Sequence, residues 1–211
     1  MNQSNQHLED LKVIKKIMEE SSRFLSLSGL SGVFAGIFAI AGAIVARVII
    51  PDSMITGQGY TESFMSDPDG LRVIKLLLAD AAVVLFLALA SAVFFSYRKA
   101  AKGGHGIWTP VSRRMLLNLL IPLAAGGLFI VITLGRIPGS VTASATLIFY
   151  GLALINAGKF TFSEIYWLGL TEVITGLICL LFPGYTLIFW TLGFGVLHIA
   201  YGFYMNFKYK G

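Results

Sequence analysis

Six windows of this chain, at about 24–50, 72–97, 114–134, 139–157, 163–182 and 185–206, are long, apolar and nearly free of charge. Nothing else in the sequence restricts the fold as strongly. A helix needs roughly 20 apolar residues to cross the hydrocarbon of a bilayer. None of the windows shows the strict alternation of a membrane barrel strand. Backbone groups in lipid must bond within their own segment, so these windows predict helices. Composition agrees: 56% of the 211 residues are hydrophobic, 13% are charged, and mean hydropathy is +0.77. Soluble domains carry nearer a quarter charged residues. The expected class is an all-α, polytopic integral membrane protein, its six transmembrane helices arranged as three antiparallel hairpins.

Charge placement orients this bundle. The net charge is +5, and the basic residues flank apolar runs, which points to topology and anionic lipid rather than nucleic acid. Lys12, Lys15, Lys16 and Arg23 precede the first helix, and Arg98, Lys99, Lys102, Arg113 and Arg114 fill the second connection. Lys159 lies in the fourth connection, and Lys208 and Lys210 close the chain. All of these fall on one side. The other side carries Asp52, Glu62, Asp67 and Asp69, with Arg47, Arg72, Lys75 and Arg136 near helix ends. The positive-inside rule then places both termini in the cytoplasm of a bacterial inner-membrane protein.

Residues 1–23 are too polar for a cleavable signal. Leu8, Leu11, Ile14, Ile17 and Met18 recur at helical spacing among Lys and Glu, so a surface-lying amphipathic helix is expected there. The expected organisation is that helix over 1–23, the bundle over 24–207 and a cytoplasmic tail over 208–211. A weak repeat runs through the bundle. Pro138-Gly139 followed by Phe149-Tyr150-Gly151 is echoed by Pro183-Gly184 followed by Gly193-Phe194-Gly195.

A charge at mid-bilayer costs about 2.5–3.5 kcal/mol on insertion scales, so intramembrane ionisable groups face the interior and seek partners. Glu172 in the fifth window and His198 in the sixth lie at matching depth, roughly 12–14 Å from the same end at 1.5 Å per residue. Small residues share their faces, so a Glu–His contact is expected. Asp80 enters from the other end, and Arg47 is its expected ion-pair partner. Asn118, with Pro122 four residues later, and Asn156 complete the polar candidates. Each has a plainer reading as helix-to-helix glue, since intramembrane hydrogen bonds average about 0.6 kcal/mol. Gly32, Gly36, Ala35, Ala39 and Ala43 give the first helix a small-residue face for internal packing or a homo-oligomer. Trp108, Trp167, Tyr166, Tyr204 and Tyr209 read as interfacial anchors.

Recognisable catalytic signatures are missing. Gly193-Phe194-Gly195 lacks the third glycine of a dinucleotide fingerprint. Three scattered histidines and the lone Cys179 suggest neither a zinc nor a heme site. Gly29-Leu30-Ser31-Gly32-Val33 has valine where a nucleophile elbow needs glycine. No cofactor or metal is expected.

The unit from Trp167 to Lys208, WLGLTEVITGLICLLFPGYTLIFWTLGFGVLHIAYGFYMNFK, resembles the repeated hairpin of the HdeD-like acid-resistance membrane protein family. The shared features are an early glycine in the first helix, a Pro-Gly turn and glycines in the second helix. The resemblance implies a six-helix bundle and a stress role, and it carries no catalytic residues. Three functions follow as expectations. The first is a non-enzymatic, transporter-type protein with a polar site at Glu172 and His198 that binds or passes a small ligand or proton. The second is a structural or scaffolding subunit, and the third an intramembrane enzyme acting on lipid.

Overall fold

The computed structural model describes residues 24, 27–51, 68–102, 106 and 108–209, and among these the chain is helical with no strand. The expected surface helix over 1–23 and most of the acidic connection between the first two spans lie outside the described residues. Six helices are long and apolar enough to cross a membrane. They are α1 Gly29–Ile49, α2 Pro68–Lys102, α3 Pro110–Thr133, α4 Gly139–Gly158, α5 Ser163–Leu181 and α6 Pro183–Lys208. Each coincides with one of the six windows. The largest departure is α2, whose helix runs past the apolar window through Arg98, Lys99 and Lys102. Long basic side chains can follow such a helix out of the apolar layer by stretching toward water.

Local chemistry explains the helix ends. Pro110 opens α3 behind Thr109, whose hydroxyl accepts the Ser112 N–H at 3.1 Å while the Ser112 hydroxyl accepts the Thr109 N–H at 2.8 Å. That reciprocal box satisfies two otherwise orphaned donors. Gly135 makes the turn after α3 at φ 74°, which a side chain would disfavour. Thr171, Thr175 and Thr191 return their hydroxyls to carbonyls of their own helix, so these polar residues sit in apolar helices without orphaned donors. The two Pro-Gly pairs of the repeat do different work. Pro138 is an extended residue before α4, whereas Pro183-Gly184 lies in the 3₁₀ turn that opens α6. The second half of the repeat also departs in winding: Thr191–Leu197 is a π-helical segment within α6.

Glycines select the helix pairs. Gly151 of α4 and Gly169 of α5 face one another, and a Cβ on either would come within 2.6 Å of the other's carbonyl oxygen. Gly126 brings α3 onto Phe149 of α4. Gly29, Gly32 and Gly36 of α1 meet the backbone of α6 around Gly195, His198 and Gly202. The small-residue face of the first helix is therefore taken up inside the chain. The fifth and sixth helices do not pack chiefly on each other, as three like hairpins would require. Gly169 and Gly176 turn α5 toward α4, and Gly195 and Gly202 turn α6 toward α1. The outer positions fall to α2, packed chiefly on α1, and α3, packed chiefly on α4. A buried cluster of Leu154, Phe162, Ile165, Leu168 and Met205 joins α4, α5 and α6 near the α4–α5 connection.

Candidate functional site

Glu172 projects from α5 into the contact between α4, α5 and α6 and is fully buried, at 0% exposure. Gly193 of α6 makes the room. A Cβ there would fall 2.5 Å from Glu172 Oε2 and 2.5 Å from Leu147 Cδ2 of α4. His198 of α6 is also buried, and its Nδ1 lies 3.3 Å from Glu172 Oε1. The depth match read from the sequence thus corresponds to a side-chain contact.

The contact is not a hydrogen bond. His198 Nδ1 has its partner in the Gly193 carbonyl at 3.1 Å, while both oxygens of Glu172 lack any hydrogen-bond partner among the described residues. Gly193 belongs to the π-helical segment, where the regular i to i+4 series is interrupted. A carbonyl can only accept, so Nδ1 carries the proton in this network. On the opposite edge of the ring, Nε2 lies 2.8 Å from the Tyr150 hydroxyl of α4. That hydroxyl can act in either direction. With neutral imidazole, Tyr150 donates to Nε2; with imidazolium, Nε2–H donates to Tyr150 Oη. The ring keeps both hydrogen bonds in either charge state. Phe194 closes the aromatic wall, its ring centroid 5.1 Å from that of Tyr150 and 6.2 Å from that of His198.

One turn before Leu147, the buried Ser144 hydroxyl also lacks a partner among the described residues. The backbone of Ser144 and the side chain of Leu147 pack over Gly176, one turn beyond Glu172 on α5. Cys179, at 0% exposure, is a free thiol two turns beyond Glu172. Among the described residues no three metal-ligating side chains converge.

The other sequence candidates lie apart from this centre. Asp80 of α2 faces Gly42 and is half-buried. The Asp80–Arg47 ion pair is not formed. Arg47 stands five residues beyond Gly42 on α1, about 7.5 Å along the axis and turned by about 140°. It is exposed there. Asn118 donates to the Arg114 carbonyl of its own helix at 2.8 Å, and Asn156 accepts from Lys159 at 3.2 Å. Both are local contacts and neither joins Glu172.

Tyr150, Ser144 and Gly193 were not legible as site residues. Tyr150 appeared only as a repeat marker, and its match in the repeat, Phe194, packs against the same histidine. A second buried acid was also missed. Glu164, in the first turn of α5, accepts Lys208 Nζ at 2.6 Å and the Tyr209 hydroxyl at 3.1 and 3.2 Å. Its signal was a carboxylate at a helix N-terminus. The expected tail therefore begins on an anchored residue, and Tyr209 is a partner of Glu164 more than a lipid-facing anchor. Burial raises the Tyr209 phenol above its ordinary pKa, and the hydrogen bond and negative charge of Glu164 add to that. By contrast Trp108, Trp167, Tyr166 and Tyr204 are exposed, as interfacial anchors would be.

No family model, curated protein or solved structure matches the chain.

Proposed function

We propose that this chain is a multi-pass protein of the bacterial inner membrane, with antiparallel spans and both termini cytoplasmic. Its Glu172–His198 site would bind and pass a proton. One observation carries the reading. A buried carboxyl with no hydrogen-bond partner among the described residues sits 3.3 Å from an imidazole whose own hydrogen bonds survive protonation. One proton added to a carboxylate and a neutral imidazole leaves the site neutral whichever residue takes it: on Glu172 it makes the neutral acid, and on His198 it enters Nε2 from the Tyr150 side, because Nδ1 already carries its own proton. Imidazole exchanges protons near neutrality, so the chemistry suits a membrane that separates compartments of different pH. The likeness of residues 167–208 to the HdeD-like acid-resistance hairpin fits a role in proton handling under stress.

The structural alternative has support as well. The pair lies where three helices meet, and a scaffold subunit would use it only to hold them. Reconstitution separates the two. Purified protein in liposomes with an internal pH dye is given an inward proton gradient. Faster acidification than in empty vesicles, lost in Glu172→Gln, is the expected result. Wild-type vesicles that acidify no faster than empty ones would sink the conduction reading and leave the scaffold.

A further inference from the structure

A cavity of about 300 Å³ opens at the end of the bundle where α1 begins and α2 and α6 finish. Its walls include Gly29, Phe95, Arg98, Lys99, Lys102 and Tyr209. Three cations thus line one concavity. Arg98 and Lys102 are one turn apart on the same helix face, a like-charge spacing that costs stability when nothing lies between them. Neither makes an ion pair with a described residue. The acid held by the Tyr209 wall, Glu164, is already engaged by Lys208 at 2.6 Å. Lys99 is fixed in place. Its ammonium donates to the Leu27 carbonyl at 3.0 Å and lies 5.0 Å above the Phe162 ring, which leaves further N–H groups to offer. The cavity therefore holds an excess of positive charge with no anion of the described chain to meet it.

The level of the cavity narrows the ligand. It sits at the first residue of one apolar span and the last turn of another, the boundary at which lipid headgroups lie. Phe95 and Met205 give it an apolar side next to the charged one. The first turn of α1 adds the N–H groups of Gly29 and Leu30, since Ser28 makes no side-chain cap and only the Ser31 N–H turns back to the Ser28 carbonyl. A forked guanidinium and two ammonium groups match the oxygens of a tetrahedral phosphate.

We infer that this cavity binds a net-anionic phosphate group, supplied either by the headgroup of an anionic phospholipid or by free phosphate. The inference is independent of the proton site, whose side chains lie on α4, α5 and the middle of α6 and do not line the cavity.

The test uses full-length protein in a neutral detergent, with thermal stability followed as ligand is titrated. The probes are phosphatidylglycerol, phosphatidylcholine, and inorganic phosphate against chloride at equal ionic strength. The proteins are wild type, Arg98→Gln/Lys102→Gln, and Arg113→Gln/Arg114→Gln as a control outside the cavity. All four side chains are exposed, so the substitutions leave the packing intact. Phosphatidylglycerol is expected to stabilise wild type well below the concentration at which phosphatidylcholine does. Each cation near an anionic surface contributes roughly fivefold, so the cavity variant should need about thirtyfold more phosphatidylglycerol. The control should stay within about twofold of wild type. Stabilisation by inorganic phosphate with the same dependence on the variants would identify free phosphate as the source; its absence would identify lipid. Equal effects of the two lipids together with no effect of inorganic phosphate, equal loss in both double variants, or loss in neither would overturn the inference.

Discussion

Replacing Glu172 by Gln keeps the shape of the side chain and removes its capacity for charge. A charge at the centre of a membrane helix costs about 2.5–3.5 kcal/mol. Against this the structure offers one contact, the 3.3 Å approach of His198 Nδ1, and no hydrogen bond from any described residue. An interhelical polar contact in a membrane averages about 0.6 kcal/mol. The cost exceeds the return about four- to sixfold, so Glu172→Gln should stabilise the protein by at least about 2 kcal/mol. For a chain of this length that corresponds to a rise in Tm of roughly 4–8 °C. The assay is thermal unfolding of both proteins in one detergent at neutral pH, followed by tryptophan fluorescence. A Tm within about 1 °C of wild type would refute the charge-cost reasoning and mean that the folded protein already holds this carboxyl neutral. A clear fall would refute the whole account, because the carboxylate would then be net glue between α5 and α6. A rise paired with lost proton flux identifies a residue kept for function at the expense of stability.

Tyr150→Phe should lower the Tm, because it strips His198 Nε2 of its 2.8 Å partner and an unsatisfied buried group costs about 1–3 kcal/mol; an unchanged melt would show that the ring does not depend on this bond. Gly36→Ala should destabilise by about 1–3 kcal/mol, since the new Cβ would meet the Gly195 carbonyl oxygen at 2.5 Å and Ile199 Cγ1 at 2.6 Å. Gly127→Ala, with nothing within 4 Å of its Cβ, should instead stabilise by about 0.5–1 kcal/mol; like signs for the two in a melting experiment would contradict the packing of α1 on α6. The tyrosinate absorbance lost in Tyr209→Phe should belong to a group titrating above its ordinary value. Because that value is raised on folding, the stabilisation from Tyr209 is present below about pH 10 and is lost as the pH rises through the raised value. A difference titration centred at or below that pH would remove the Glu164–Tyr209 contact from the account.

The sequence by itself determined the six helices. Apolar length and the lack of charge act segment by segment, so each span was readable without reference to any other. The Glu172–His198 contact was legible for a similar reason: two ionisable residues in neighbouring spans at equal depth have few places to go. Pairing of helices was not legible in this way. Gly36, Gly151, Gly169 and Gly202 were visible as small residues, but which small face meets which depends on all the interfaces together. The packing that joins α1 to α6 and α5 to α4 emerged only in the folded chain. The Asp80–Arg47 pair failed on the same ground, because axial depth can be counted along a sequence and rotation about a helix relative to its neighbour cannot. Tertiary structure alone supplied Tyr150 to the histidine and gathered Arg98, Lys99 and Lys102 around one cavity. It also turned the Gly193 carbonyl, rather than the Glu172 carboxylate, toward Nδ1. Hydrogen bonds are decided over tenths of an ångström, and in this chain the π-helical turn of α6 sets that distance.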